Sequence, residues 1–215
     1  MNRNETGWCA VRHQTIIDVY DYWNRLRGAG EAPLKSQIEP SSLGHLLPSL
    51  FILEKNDELG AVTFRLAGTR ICDLFGRDLR DESFAELFGD GHADDIEATL
   101  LGAMHHVIPT LLNATGYSTA GHQATFEIIV MPLRCEHGCR ARLLGAIAAS
   151  VAASWLEIVP LDFLALDRSR LLRDKPGQNG GGSSWPYTAA AEPPHGFSVV
   201  LGRMMSSLFS GAAPR

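Results

Sequence analysis

Between residues 13 and 27 apolar side chains return every three or four positions: Ile16, Val19, Tyr20, Trp23 and Leu26. That period lines one face of a helix, and Gly28 and Gly30 end it. Pro33 steers the residue before it away from helix, so 32–38 reads as extended chain. Pro40-Ser41-Ser42 opens a short helix that runs to Leu47 and closes at Pro48. The period then drops to two. Residues 50–54 form a strand, 56–60 a turn, and 62–67 a second strand with Val62, Phe64 and Leu66 on one side and Thr63 and Arg65 on the other.

Gly68, Gly76 and Gly89 punctuate the middle of the chain, leaving short helical pieces at 69–75 and 83–88. A longer helix follows over 93–106, with Ile96, Leu100, Ala103, Met104 and Val107 as its stripe. Asp94, Asp95 and Glu97 load its first turns with negative charge, which suits the helix dipole. Three strands come next, at 110–117, 124–133 and 143–153, joined by hairpin-length connectors at 118–122 and 135–140. An exit segment at 156–172 completes the domain. The order predicts an α+β fold: a five-stranded antiparallel sheet with helices inserted after the second strand and packed on one face, preceded by an amphipathic helix.

Composition shifts after residue 173. Residues 174–196 are rich in Gly, Pro, Ser and Ala, with the run Gly180-Gly181-Gly182-Ser183-Ser184, and read as a flexible linker. Residues 197–215 regain helical periodicity through Phe197, Leu201, Met204, Met205 and Leu208. The expected organisation is a disordered start at 1–12, a helical extension at 13–48, a core with its exit segment at 49–173, the linker, and the amphipathic tail.

The formal charge of −5 over 215 residues gives no basic surface for nucleic acid, which needs clustered Lys and Arg. The first seven residues are polar, unlike a secretory leader. No run of about 18 uninterrupted apolar residues exists, so no spanning helix is expected. Four scattered cysteines do not make a disulfide framework, and a cytoplasmic setting with reduced thiols is expected.

Certain runs carry a family resemblance. Tyr22-Trp23-Asn24-Arg25-Leu26-Arg27-Gly28 followed by Pro33, Ile38-Glu39-Pro40, and the stretch Leu46-Leu47-Pro48-Ser49-Leu50-Phe51-Ile52-Leu53 resemble the opening of a compact bacterial stand-alone PAS-domain family. Phe64-Arg65-Leu66-Ala67-Gly68-Thr69, with Gly76-Arg77-Asp78-Leu79 shortly after, is the strongest match. Together they cover about residues 18 to 155. The resemblance implies a PAS fold of about five strands and a sensory or protein-interaction role in bacterial signalling, without catalysis. The family usually continues after Gly76-Arg77-Asp78-Leu79 with a Thr-Gly pair, where this chain has Arg80-Asp81. The resemblance supplies no universal ligand, so chemistry has to be read from the residues.

The apolar set Phe64, Leu66, Phe75, Leu79, Leu87, Leu100, Met104, Phe126 and Ile128 is placed to line an interior between sheet and helices, either around a small-molecule ligand or packed shut. Cys135-Glu136-His137-Gly138-Cys139 offers two thiolates and an imidazole that suit zinc, with a fourth ligand such as His122 coming from far away. The plainer readings are a polar turn or a redox-sensitive thiol pair. Met104-His105-His106 closes the long helix. His106, on the flank of the stripe, is the better placed for a haem iron, and the plainer reading is a helix C-terminal cap. The plain readings outweigh zinc and haem, and no cofactor is assigned.

No catalytic constellation stands out: Gly44-His45 and Asp94-Asp95 lack a nucleophile at a strained turn, and Gly68-Thr69-Arg70 lacks the ending of a phosphate loop. Arg65, Arg70 and Arg77 are expected to be solvated or paired with Asp73, Asp78 and Asp81 rather than to gather an anion. The first helix, through Ile16, Tyr20 and Trp23, is expected to face a second copy in a homodimer. The tail is a further element for a signalling partner. Arg203 is the only basic residue in its apolar stretch, so a membrane surface is the weakest of its partners.

Overall fold

A computed structural model describes residues 13–89, 91–134 and 141–172. The first helix, α1 (Gln14–Arg27), starts where His13, in extended backbone, turns its Nδ1 to accept the Thr15 N–H at 3.2 Å. That satisfies one donor left free in a helix's first turn. It ends at Gly28, whose φ of 54° suits glycine, with Arg25 and Arg27 in its last turn against the negative end of the dipole. Two 3₁₀ segments follow, Lys35–Gln37 and Pro40–Ser49. The first interrupts the expected extended stretch at 32–38. Leu34 and Arg134 bridge there instead, the Lys35 N–H donating to the Arg134 carbonyl at 3.0 Å.

The sheet contains β1 (Leu50–Asn56), β2 (Ala61–Ala67), β3 (Thr110–Ser118), β4 (Gln123–Leu133), β5 (Arg142–Ala149) and β6 (Leu161–Leu171). Its spatial order is β2-β1-β5-β4-β3-β6, and every neighbouring pair is antiparallel. Between β2 and β3 lie α2 (Thr69–Phe75), a 3₁₀ turn at Ala85–Leu87 and α3 (Ala93–His106).

The sheet therefore has six strands where the sequence predicts five. The expected exit segment is itself a strand, pairing with β3 from Ser118↔Leu161 to Thr110↔Leu171. Its alternation is broken by the run Asp167-Arg168-Ser169-Arg170 and by a bulge opposite Asn113 and Ala114, so it lacks a clean period of two. The preceding strand is shorter than expected. β5 stops at Ala149, and residues 150–159 are bends and turns that reach Pro160.

A second bulge moves one residue of the expected interior. Leu53 pairs with Phe64 but Ile52 pairs with Leu66, so Arg65 is the extra residue of β2. One inserted residue sends every later side chain to the opposite face. Phe64 is 1 % exposed in the core, whereas Leu66 is 46 % exposed on the other side. Its expected place in the interior is therefore corrected.

The central strands bury both faces. On one, the aromatic and aliphatic side chains of β1, β2, β4 and β5 meet α2, the Ala85–Leu87 turn and α3. On the other, Leu111, Ile129, Met131, Leu144 and Ala146 meet α1 and the Pro40–Ser49 segment. Ile16, Tyr20 and Trp23 are 0, 2 and 0 % exposed within this second layer. The expectation that they face a second copy is corrected: the chain's own sheet covers them. The Trp23 indole N–H also donates to the Pro132 carbonyl at 2.9 Å, fixing the helix's roll on the sheet.

The chain divides into two units, residues 1–175 and 176–215. The expected linker and tail lie outside the described residues. No described helix is long and apolar enough to cross a membrane.

Candidate functional site

The interior between the sheet and α2–α3 is where the expected pocket residues meet. Phe64, Phe75, Leu79, Leu87, Leu100, Phe126 and Ile128 share one buried cluster, and Met104 packs partly buried against it. The space is taken by rings. Phe51, Phe64 and Phe84 form a triangle with centroids 5.4–5.7 Å apart, and Phe84 continues to Phe88 at 5.6 Å. These separations are those of favourable tilted and edge-to-face pairs. Gly145 makes room for the arrangement: a Cβ there would lie 2.1 Å from the Phe51 ring, so the ring rests on the bare strand.

The loop that carries the strongest sequence resemblance closes this interior. α2 ends at Gly76 in the left-handed conformation, φ 64°. Asp81 takes the same conformation at φ 65°, where the usual family residue would be glycine. Asp tolerates that region better than most residues with a side chain. Its N–H donates to the Phe64 carbonyl at 2.8 Å, and the Phe84 N–H donates to the Val62 carbonyl at 3.0 Å. The departure at Arg80-Asp81 thus leaves the loop tied to β2.

Three acidic residues missed by the sequence reading act as ties, two between helix and sheet and one between neighbouring strands. Glu97 on α3 accepts the Val62 N–H at 2.9 Å through Oε1, linking the helix to β2, while its buried Oε2 makes no hydrogen bond among the described residues. Burial raises its pKa above the ordinary 4.5, opposed by the Val62 N–H and by the charge of Lys55. Glu127, 2 % exposed on the opposite face, accepts the His13 N–H at 2.9 Å at the start of α1. Glu54 accepts from Arg142 through both Nε and Nη2 at 2.6 Å, across directly paired positions of β1 and β5. The signal for Glu127 was present, since a lone acid interrupts Phe126 to Met131. Glu97 was visible only as an N-terminal helix charge.

The raised pKa of Glu97 sets a pH dependence. Below 4.5 the carboxyl is protonated folded or unfolded and costs nothing. As pH rises through the interval between 4.5 and the raised folded value, the unfolded chain ionises first, and stability falls. Glu97→Gln is expected to raise the urea midpoint at pH 7 and to lose that advantage at pH 4, as measured by circular dichroism at the two pH values.

The remaining candidates do not converge. His105 and His106 are both exposed and contact one another edge-on at 4.8 Å. His106 therefore does not reach the interior; it stands in the last turn of α3, exposed to solvent. Cys135, His137 and Cys139 lie outside the described residues. His122 stacks on Trp155 at 5.1 Å, and no three His, Cys, Asp or Glu side chains gather for a metal among the described residues. Arg70 pairs with Glu157 at 2.9 Å and Arg77 with Glu82 at 3.0 Å rather than with Asp73, Asp78 or Asp81, and both side chains stay about half exposed. Arg65 is exposed.

Comparison with known proteins adds the following. A family model described as PAS domain matches residues 11–148. No curated protein matches the chain. Among solved structures, a light-oxygen-voltage domain studied with a flavin analogue is 14 % identical with a TM-score of 0.40, covering 54 % of this chain and 85 % of its own. The light-state blue-light photoreceptor Aureochrome1 LOV is 17 % identical with a TM-score of 0.39, covering 55 % of this chain and 93 % of its own. A PAS domain of a Colwellia psychrerythraea protein is 12 % identical with a TM-score of 0.37, covering 51 % of this chain and 94 % of its own.

Proposed function

Because this chain belongs to the PAS domain family, we propose that it is a non-catalytic sensory and protein-interaction module of bacterial regulation, working as a homodimer with a signalling partner in the cytoplasm. The observation that carries the reading is the ring-filled interior. Phe51, Phe64, Phe84 and Phe88 are each at most 4 % exposed and linked ring to ring through Phe84. A folded core packs about as densely as an organic crystal. A ligand the size of a flavin or haem would have to displace several of these rings. The module's output is then read from its surfaces, and the interior serves as the rigid support that fixes them.

The partner surface is not the apolar stripe of α1, which the sheet already covers. The second reading, a haem- or metal-binding sensor, has no histidine aimed into the interior among the described residues, and its Cys135, His137 and Cys139 lie outside them. Native mass spectrometry of the freshly purified full chain tests the proposal. The expected result is a dimer at twice the polypeptide mass. A flavin, haem or metal retained at one per chain would overturn the reading of a filled interior, and a purely monomeric spectrum would overturn the homodimer.

A further inference from the structure

A groove of about 370 Å³ opens over the rim of the ring-filled core, whose outer members Leu74 and Ile147 form its floor. It lies between the start of α1, α2, the end of β5 and the loop at 150–159. Its volume is in the range of small-molecule sites and is too small for a helix some 10 Å across. Leu74, Ile147, Ala149 and Leu156 supply apolar lining. On the loop beside it, Val151 and Ile158 are 73 % and 76 % exposed, the most exposed large apolar residues described.

Against this apolar lining stands one guanidinium. Arg70 Nε donates to Glu157 Oε1 at 2.9 Å, and Nη1 donates to Ser49 Oγ at 3.2 Å. The two side chains of the ion pair are 50 % and 43 % exposed, so water screens the pair and it holds weakly. Glu157 also sits at φ 67°, a left-handed conformation that is uncommon for a residue with a side chain. The chain thus places its own carboxylate on Arg70 at the expense of a strained backbone, in a loop free of helix and strand.

We propose that this groove binds a small organic carboxylate with a short apolar tail, and that the ligand's carboxylate takes the place of Glu157 on Arg70. A guanidinium matches a carboxylate by two parallel hydrogen bonds, where Glu157 uses one oxygen on Nε alone. The tail lies along Ala149, Ala153 and Leu156, the part-exposed apolar lining of the groove. Release of Glu157 lets the 150–159 loop leave its strained turn, and because this loop joins β5 to β6, occupancy alters a surface beside the sheet edge. The inference deepens the sensory reading and rests on it, since it supplies the ligand that a filled interior does not accommodate.

Amide chemical shifts of the full chain, titrated with hexanoate, hexanamide and inorganic phosphate, test it. Hexanoate is expected to shift the amides of residues 147–157 with a Kd in the millimolar range, about what a small, partly exposed site delivers. Arg70→Gln should weaken it about tenfold or more, and Glu157→Gln should tighten it severalfold by removing the competitor. Retained dispersion of both spectra shows that the variants fold. Equal binding of hexanamide, equal binding of phosphate, or weakening by Glu157→Gln overturns the carboxylate site. Absence of any shift overturns the site and leaves the module reading standing. Shifts centred on Phe64 and Leu100 overturn both this site and the filled interior.

Discussion

Trp23→Ala is expected to lower folding stability by about 3–5 kcal/mol, the range for truncating a fully buried aromatic side chain. Trp23 has no exposed surface, packs beside Tyr20 with centroids 5.9 Å apart, and carries the Arg27 guanidinium 5.3 Å from its ring centre. Alanine removes the ring and also leaves the Pro132 carbonyl without its indole donor, which by itself costs about 1–3 kcal/mol when buried. Trp23→Phe separates the two terms, keeping most of the apolar area and losing the hydrogen bond. Urea unfolding followed by circular dichroism at two protein concentrations gives the answer. If Trp23 faced a second copy instead, the loss would appear in the concentration dependence and the monomer's midpoint would stay in place.

Gly68→Ala should be comparably severe, about 3 kcal/mol or more, at the upper end of the cost of forcing atoms into a packed site. The backbone of Gly68 is extended, φ −68° and ψ 156°, which any residue adopts. The objection is space. A Cβ would lie 2.3 Å from the Pro48 carbonyl oxygen and 2.4 Å from that of Leu47. Both are main-chain atoms, so no side-chain rotation relieves the clash. The Gly68 N–H meanwhile donates to the Leu50 carbonyl at 2.8 Å, and its own carbonyl accepts from Ile71 and Cys72 to begin α2. The substitution must therefore move either the end of the Pro40–Ser49 segment or the start of α2. Thermal unfolding of Gly68→Ala beside Gly44→Ala, where a Cβ meets nothing within 4 Å, isolates the effect. Equal melting temperatures for the two variants would refute the close approach.

The first helix, the opening hairpin, the long helix and the three central strands were legible because each has an unbroken period. The stripe from Ile16 to Trp23 fixes the helix but not its partner. A buried stripe looks the same whether it meets another chain or its own sheet, and the tightly apolar runs of β4 and β5 were the sign that both faces of the sheet needed cover. Leu66 was misplaced because a bulge changes the parity of a strand without leaving a mark in its hydrophobic pattern. β6 hides its strand character because its second half, Asp167 to Arg170, is polar and largely exposed, as suits an edge strand. The interior residues were legible as a group, since seven of the nine expected are in one buried cluster and Met104 packs against it. The groove beside Arg70 was not, for its walls come from four stretches far apart in sequence.

The two-sided sheet also decides where this protein can be cut. Removing residues 13–27 would uncover the surface formed by Leu111, Ile129, Met131, Leu144 and Ala146, a greasy patch running across β3, β4 and β5. Such a fragment would keep every strand and still tend to stick to itself. Any shortened form meant for crystals or for fusion to another protein should begin upstream of His13, so that the α1 lid comes with it.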